Sequence, residues 1–145
     1  TMSLSENTIL LIKETLPLIN KESENITTRM YEILFSKYPQ TKPMFKNATS
    51  DQHKKLAGAI GAFAANVDNL GALEKAVEKM ANIHVKTDVQ AEHYPMVADS
   101  LITAMEDILG TSLTTKHKEA WIEGYNFLAN ILINREQELY KNKTN

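Results

Sequence analysis

The chain has no cysteine. Disulfides, thiolate metal sites and cysteine nucleophiles are therefore excluded. A reducing compartment fits that absence, and a cytoplasmic location is the expectation. Glycine and proline are also scarce, 5 and 4 among 145 residues, which argues against a β-rich fold with many tight turns. Neither sign of charge dominates: 16 Lys and Arg stand against 18 Asp and Glu, a net charge of -2. That balance leaves no electrostatic footprint for nucleic acid or for an acidic membrane. Long apolar runs are missing as well. The longest uncharged stretches, Leu56–Val67 and Gly124–Asn134, are 12 and 11 residues, short of the ~18 at which a membrane span is suspected. The first residues lack the basic and apolar blocks of a signal peptide. Thr1 ahead of Met2 is expected to be a remnant of how the chain was produced.

What is present is ordinary globular composition, 43% hydrophobic and 23% charged. There is no internal repeat, low-complexity segment or linker, so a single domain over residues 1–145 with one sizeable core is expected. Apolar residues recur with a helical period nearly throughout. Helices are expected near 5–20, 23–37, 50–68, 71–84, 91–109 and 114–140. The prolines of "YPQTKPMF" stop the second, Ser50 offers an N-cap for the third, and Gly110 ends the fifth. The fold class is all-α, with at least six helices. A plain helical bundle is the alternative.

One residue stands out. Leu73, Val77, Met80 and His84 are spaced 4, 3 and 4 apart, so an imidazole sits in register with an apolar stripe. It is either a core histidine with a backbone partner or a metal ligand in a dry setting. A di-iron Glu-x-x-His motif occurs nowhere. His53, His93 and His117 show no zinc-ligand spacing with it. Haem iron asks less of the protein, because the porphyrin supplies the in-plane nitrogens.

Other lines could complete such a site. Gln52, Leu56, Ala59 and Phe63 share one face of the third helix, and His53, Ala57, Ile60, Ala64 and Val67 share another. Periodicity alone leaves open whether Gln52 or His53 faces a ligand. Tyr31 shares a face with Thr27 and Phe35. Tyr94 heads a line with Val97, Leu101, Met105 and Ile108. Gly124, Leu128, Ile131, Arg135 and Glu138 form a line on the last helix. Each has an ordinary structural reading: core aromatics with a hydroxyl at the edge, or a solvated carboxylate.

At this point the residues resemble a family. "TTRMYEILFSKYPQTKPMF", "DQHKKLAGAI", "AVEKMANIHVKTDVQAEHYPMV" and "GYNFLANILINREQELY", in that order, are similar to bacterial globins of the flavohaemoglobin class and their single-domain relatives. The resemblance covers essentially the whole chain. It implies a globin fold of about six to seven helices packed around haem b, with His84 as the proximal iron ligand. It implies that Phe45 packs on the haem and that Pro39 is the proline of the short helix before it. Tyr31 and Gln52 would be the distal pair that hydrogen-bonds a bound gas, with Leu56 limiting the space. Tyr94 and Glu138 would surround the proximal histidine. Met80 and Val97, on the lines of His84 and Tyr94, are counted with the cofactor.

The resemblance further implies binding of O2, NO and CO, and nitric oxide detoxification by dioxygenation to nitrate. Flavohaemoglobins re-reduce their iron through a fused reductase. No Gly-rich dinucleotide motif occurs here, so a separate reductase is expected. Ile83 stands where many fused relatives carry lysine, which favours a natural single-domain globin. Oxygen storage or transport is the main alternative function, and a haem-based sensor the weaker one. Both monomer and homodimer are compatible with the sequence.

Overall fold

The computed structural model describes residues 4–144, so Thr1 lies outside them. Six α-helices carry the architecture: α1 (Glu6–Glu14), α2 (Leu16–Lys37), α3 (Gln52–Ala65), α4 (Glu74–Lys86), α5 (His93–Leu109) and α6 (Thr115–Thr144). Short 3-10 segments at Pro39–Phe45, Leu70–Leu73 and Gly110–Ser112 join them. The described residues contain no strand, and none of their helices is long and apolar enough to cross a membrane.

The first break falls at Thr15, not in the polar stretch around residues 20–23. Pro17 sits in the first turn of α2, where a missing N–H costs nothing. Thr15 is fully buried; its hydroxyl donates to the Ile12 carbonyl at 2.6 Å and accepts from Trp121 Nε1 at 2.9 Å. Residues 20–23 hold no breaker, so α2 runs straight through them. α3 begins at Gln52 with Asp51 rather than Ser50 at its cap, and α4 is displaced to 74–86 by the 3-10 turn before it. Gly110 closes α5 with a φ of +54°, a region that side chains with a Cβ rarely enter.

The core divides in two. The larger cluster gathers Ile12, Ile19, Ile26, Met30, Phe63, Met105 and Trp121 from α1, α2, α3, α5 and the start of α6. Each fully buried large aliphatic contributes about 1.5–3 kcal/mol, so most of the stability resides there. The smaller cluster is Ala81, Tyr94, Ala129 and Leu132, where α4 and α5 meet the second half of α6. Tyr125 and Leu128 touch both. Gly124 sets how closely α6 approaches. A Cβ there would come within 2.8 Å of Ile12 Cδ1 and 3.2 Å of the Phe63 ring. Ala57, Ile60, Ala64 and, just past α3, Val67 are buried, as is Phe63 at the far end of the Gln52 line, while Gln52 and Leu56 remain half-buried.

Candidate functional site

His84 lies in the last turn of α4, and its ring reaches toward α5 and α6. Nδ1 stands 2.8 Å from Glu136 Oε2 and 2.9 Å from the Tyr94 hydroxyl. Tyr94 donates to the same carboxylate, at 2.8 and 3.0 Å. Glu136 is 3% exposed. Burial drives the Tyr94 phenol far above the usual tyrosine range, and the hydrogen bond to Glu136 pushes it the same way, so it is a neutral donor. The protons then assign themselves. A carboxylate only accepts, and the phenol gives it its one proton. The imidazole nitrogen beside it must therefore carry a hydrogen. His84 thus presents Nδ1–H to Glu136, and Nε2, the nitrogen left for a ligand, has no protein partner among the described residues.

Tyr125 supports this group by donating to the Tyr94 carbonyl at 2.9 Å. Its own phenol is raised by burial and by the Glu136 charge. No buried side-chain polar atom among the described residues lacks a partner.

The carboxylate expected here was Glu138; the structure corrects it to Glu136. Glu138 is 67% exposed and pairs with Arg135 at 2.9 Å. Two residues along a helix rotate a side chain by about 200°, so the two glutamates leave α6 on nearly opposite sides. Sequence did hold a signal for the right one. Tyr125, Ala129, Leu132 and Glu136 are spaced 4, 3 and 4 apart, a line as regular as the one through Glu138. Ile131, on the latter line, is 39% exposed.

A second group forms where α2 meets α3. The Gln52 side chain lies beside the Tyr31 hydroxyl. Burial raises the Tyr31 phenol and Gln52 opposes the rise, so at neutral pH it is a protonated donor. Phe45 meets Tyr31 edge-on at 5.4 Å and Phe35 at the same distance, while Tyr31 and Phe35 stack at 5.7 Å. Phe35 was not among the expected site residues. His53 turns the other way: its carbonyl accepts from Thr27 at 2.8 Å and its ring lies 4.0 Å from Glu24. Pro39 is exposed at the head of the 3-10 turn that carries Phe45. Leu56 and Val97 are partly buried against the larger core cluster, and Met80 against the smaller.

These residues fit a haem. His84 offers an unpaired Nε2. Tyr31, Phe45, Leu56, Met80 and Val97 are apolar or aromatic and only half-buried. No cluster of three or more His, Asp or Glu among the described residues could hold a metal unaided, so the other ligands would come from a macrocycle. A groove of ≈ 580 Å³ between α1, α4 and α6, floored by Val67, Val77 and Leu128, contains none of the site residues.

The defining pattern of the globin family matches residues 28–132. The chain belongs to the globin family. An uncharacterised globin-like protein of Aquifex aeolicus is 47% identical over 137 residues, covering 94% of this chain and 97% of that protein. A flavohemoprotein of Rhodopirellula baltica is 42% identical over 141 residues, covering 95% of this globin but 35% of the flavohemoprotein. The globin thus spans about a third of that longer relative. Among solved structures, an engineered carbene transferase from Rhodothermus marinus, described as a candidate nitric oxide dioxygenase, superposes with a TM-score of 0.95 at 36% identity, covering 99% of this chain and 100% of that one. A bacterial globin of Campylobacter jejuni gives a TM-score of 0.86 at 35% identity, covering 94% and 99%. A flavohemoglobin of Malassezia yamatoensis, solved with haem and FAD bound, gives 0.85 at 27% identity over 97% of this chain and 38% of that one.

Proposed function

We propose that this globin binds haem b through His84 Nε2, takes up oxygen, and oxidises nitric oxide to nitrate with electrons from a separate reductant. The observation that carries the reading is the buried Glu136 carboxylate on His84 Nδ1. A histidine meant only to fill a core needs one backbone partner. Here a fully buried acid and a phenol both address the one nitrogen.

Haem, when bound, supplies a redox iron that presents oxygen to nitric oxide, and the oxidised iron must then be re-reduced from outside. The chain's own residues have separable tasks. Glu136 draws on the Nδ1 proton and would make Nε2 a more basic ligand to a haem iron, tuning suited to redox chemistry more than to simple carriage. Tyr94 holds the carboxylate in register. Tyr31, with Gln52 beside it, would offer a neutral donor to a polar ligand held by the haem. Phe45 and Leu56 restrict water and space around that donor. The relatives named as flavohemoproteins and the Rhodothermus marinus protein support this chemistry over plain storage.

The test is spectroscopic first. Purified protein titrated with haem is expected to bind it stoichiometrically and give a five-coordinate ferrous spectrum, both lost in His84→Ala. The oxygenated protein is then mixed with nitric oxide and nitrate is measured. Consumption of nitric oxide without nitrate would reject the dioxygenase reading. Rapid oxygen release with weak affinity would favour storage or delivery.

A further inference from the structure

The end of α4 is closed by bonds that lie almost wholly within itself. Val89 N–H donates to the His84 carbonyl at 2.9 Å, and Asp88 N–H to Val85 at 3.2 Å. The Thr87 hydroxyl reaches the His84 carbonyl at 3.2 Å and the Ile83 carbonyl at 3.1 Å. This double closure needs a left-handed residue after the cap, usually glycine. Asp88 fills that place with a φ of +66°, a conformation an aspartate adopts less readily. Left to itself, the turn that ends just after His84 would open more easily than most.

Beyond the bonds to the His84 ring itself, the turn after His84 receives one side-chain hydrogen bond from another helix among the described residues, and the Val89 side chain packs on the smaller core cluster. Tyr140, near the end of α6, donates its hydroxyl to the Val89 carbonyl at 2.6 Å. Tyr140 stands one helical turn beyond Glu136 on the same line of α6. A single helix face therefore addresses His84 twice. Glu136 grips the ring at Nδ1. Tyr140 grips the residue whose N–H is bonded to the His84 carbonyl. We infer that Tyr140 is a positioning residue for His84, a latch that fixes the end of α4 so that the ring meets Glu136 at the right distance. The inference rests on the reading of His84 as an iron ligand.

The test uses the full chain loaded with haem, as wild type and as Tyr140→Phe, which removes the hydroxyl and keeps the ring. The ferrous iron–imidazole stretching band is recorded by resonance Raman, and amide exchange at Val89 is followed by NMR in both loaded and haem-free protein. Tyr140→Phe is expected to move the band to lower wavenumber, as Glu136 polarises the ring less, and to speed Val89 exchange about fivefold or more. The pair is repeated on His84→Gly with free imidazole as ligand. There the band is expected to be the same with and without the Tyr140 hydroxyl, because the ligand is no longer tethered to α4. An unchanged band in Tyr140→Phe with His84 present would overturn the inference, as would a shift that persists with free imidazole. If wild type shows no band that His84→Gly abolishes, the ligand reading has failed instead. The latch then stands or falls on Val89 exchange in the haem-free chain.

Discussion

On the side where α4, α5 and α6 meet, Glu136 is 3% exposed, and both of its oxygens are hydrogen-bonded to Tyr94 or His84. On the side where α2 meets α3, Gln52 lies beside the Tyr31 hydroxyl and both residues remain half-buried. The first arrangement has no slack. A buried carboxylate is tolerable only while every partner is in place, so three elements must agree on its position. The second can yield. Its residues sit where aromatic packing of Tyr31, Phe35 and Phe45 provides the support, and losing a hydroxyl there leaves little buried and unpaired. Stability and ligand chemistry are thus coupled on one side and separable on the other.

The largest effect is expected from Glu136→Ala. It strips the acceptor from the Tyr94 hydroxyl and from His84 Nδ1 in a buried setting, at a cost of about 2–4 kcal/mol. Urea unfolding of the haem-free protein measures it, and Glu136→Gln, which keeps one acceptor oxygen, is expected to lose less. Tyr31→Phe is the counterpart. Its unfolding free energy is expected to change by less than about 1 kcal/mol. Oxygen dissociation from the haem-loaded protein, followed by stopped flow, is expected to accelerate about 10- to 100-fold, the worth of a hydrogen bond to a charged acceptor. Should Tyr31→Phe cost as much stability as Glu136→Ala, the contrast between the two sides collapses.

Alkaline titration sharpens the same contrast. Burial raises the phenols of both Tyr31 and Tyr94, and Tyr94 is raised further by Glu136. An unfolded tyrosine ionises near about pH 10. A phenol whose folded value lies higher adds stability that is full below about pH 10. That stability is lost as pH rises from there toward the folded value. Folding stability is therefore expected to fall above about pH 10. Tyrosinate absorbance should appear in steps: Tyr31→Phe removes amplitude from an earlier step, and Tyr94→Phe only from the one that accompanies unfolding. Loss of early amplitude in Tyr94→Phe would mean that the acid–phenol contact is looser than its distances indicate.

The smallest effect belongs to Glu138→Ala. An exposed pair with Arg135 is worth at most about 0.5–1 kcal/mol, and the haem spectrum is expected to be unchanged. A spectral change equal to that of Glu136→Ala would reverse the assignment of the two carboxylates.

Much of this was legible residue by residue. The histidine in register with Met80 and Val77 marked α4 as unusual, and the helical period predicted six helices, the last four close to their observed spans and the first two divided at the wrong place. The break at Thr15 had a local signal in Pro17, which cannot sit inside a helix over 5–20 without losing a hydrogen bond; what was not legible is the hydroxyl shared between Ile12 and Trp121 that fixes it there, a contact between helices far apart in sequence. Gln52 and His53 head equally regular lines. Both lines end in the core, at Phe63 and at Ala64, and only the structure shows that the first turn of the Gln52 line lies beside Tyr31 while the His53 ring lies near Glu24. Tyr140 offered no signal at all, since its partner is a backbone carbonyl, and backbone groups look alike in every sequence.

The amino-acid order by itself determined the helical class, the absence of any thiol chemistry, and which side chains on each helix share a face. Those follow from a period of about 3.6 residues and from composition, both local properties. Which face of α6 meets α4 was a tertiary decision. α6 carries two regular lines, one through Glu136 and one through Glu138, and nothing local separates them. Its rotation is set where Trp121 is buried and Gly124 admits Ile12 and Phe63 at close range. Further along the helix that same rotation delivers Glu136 to His84 and Tyr140 to Val89, and leaves Glu138 in water.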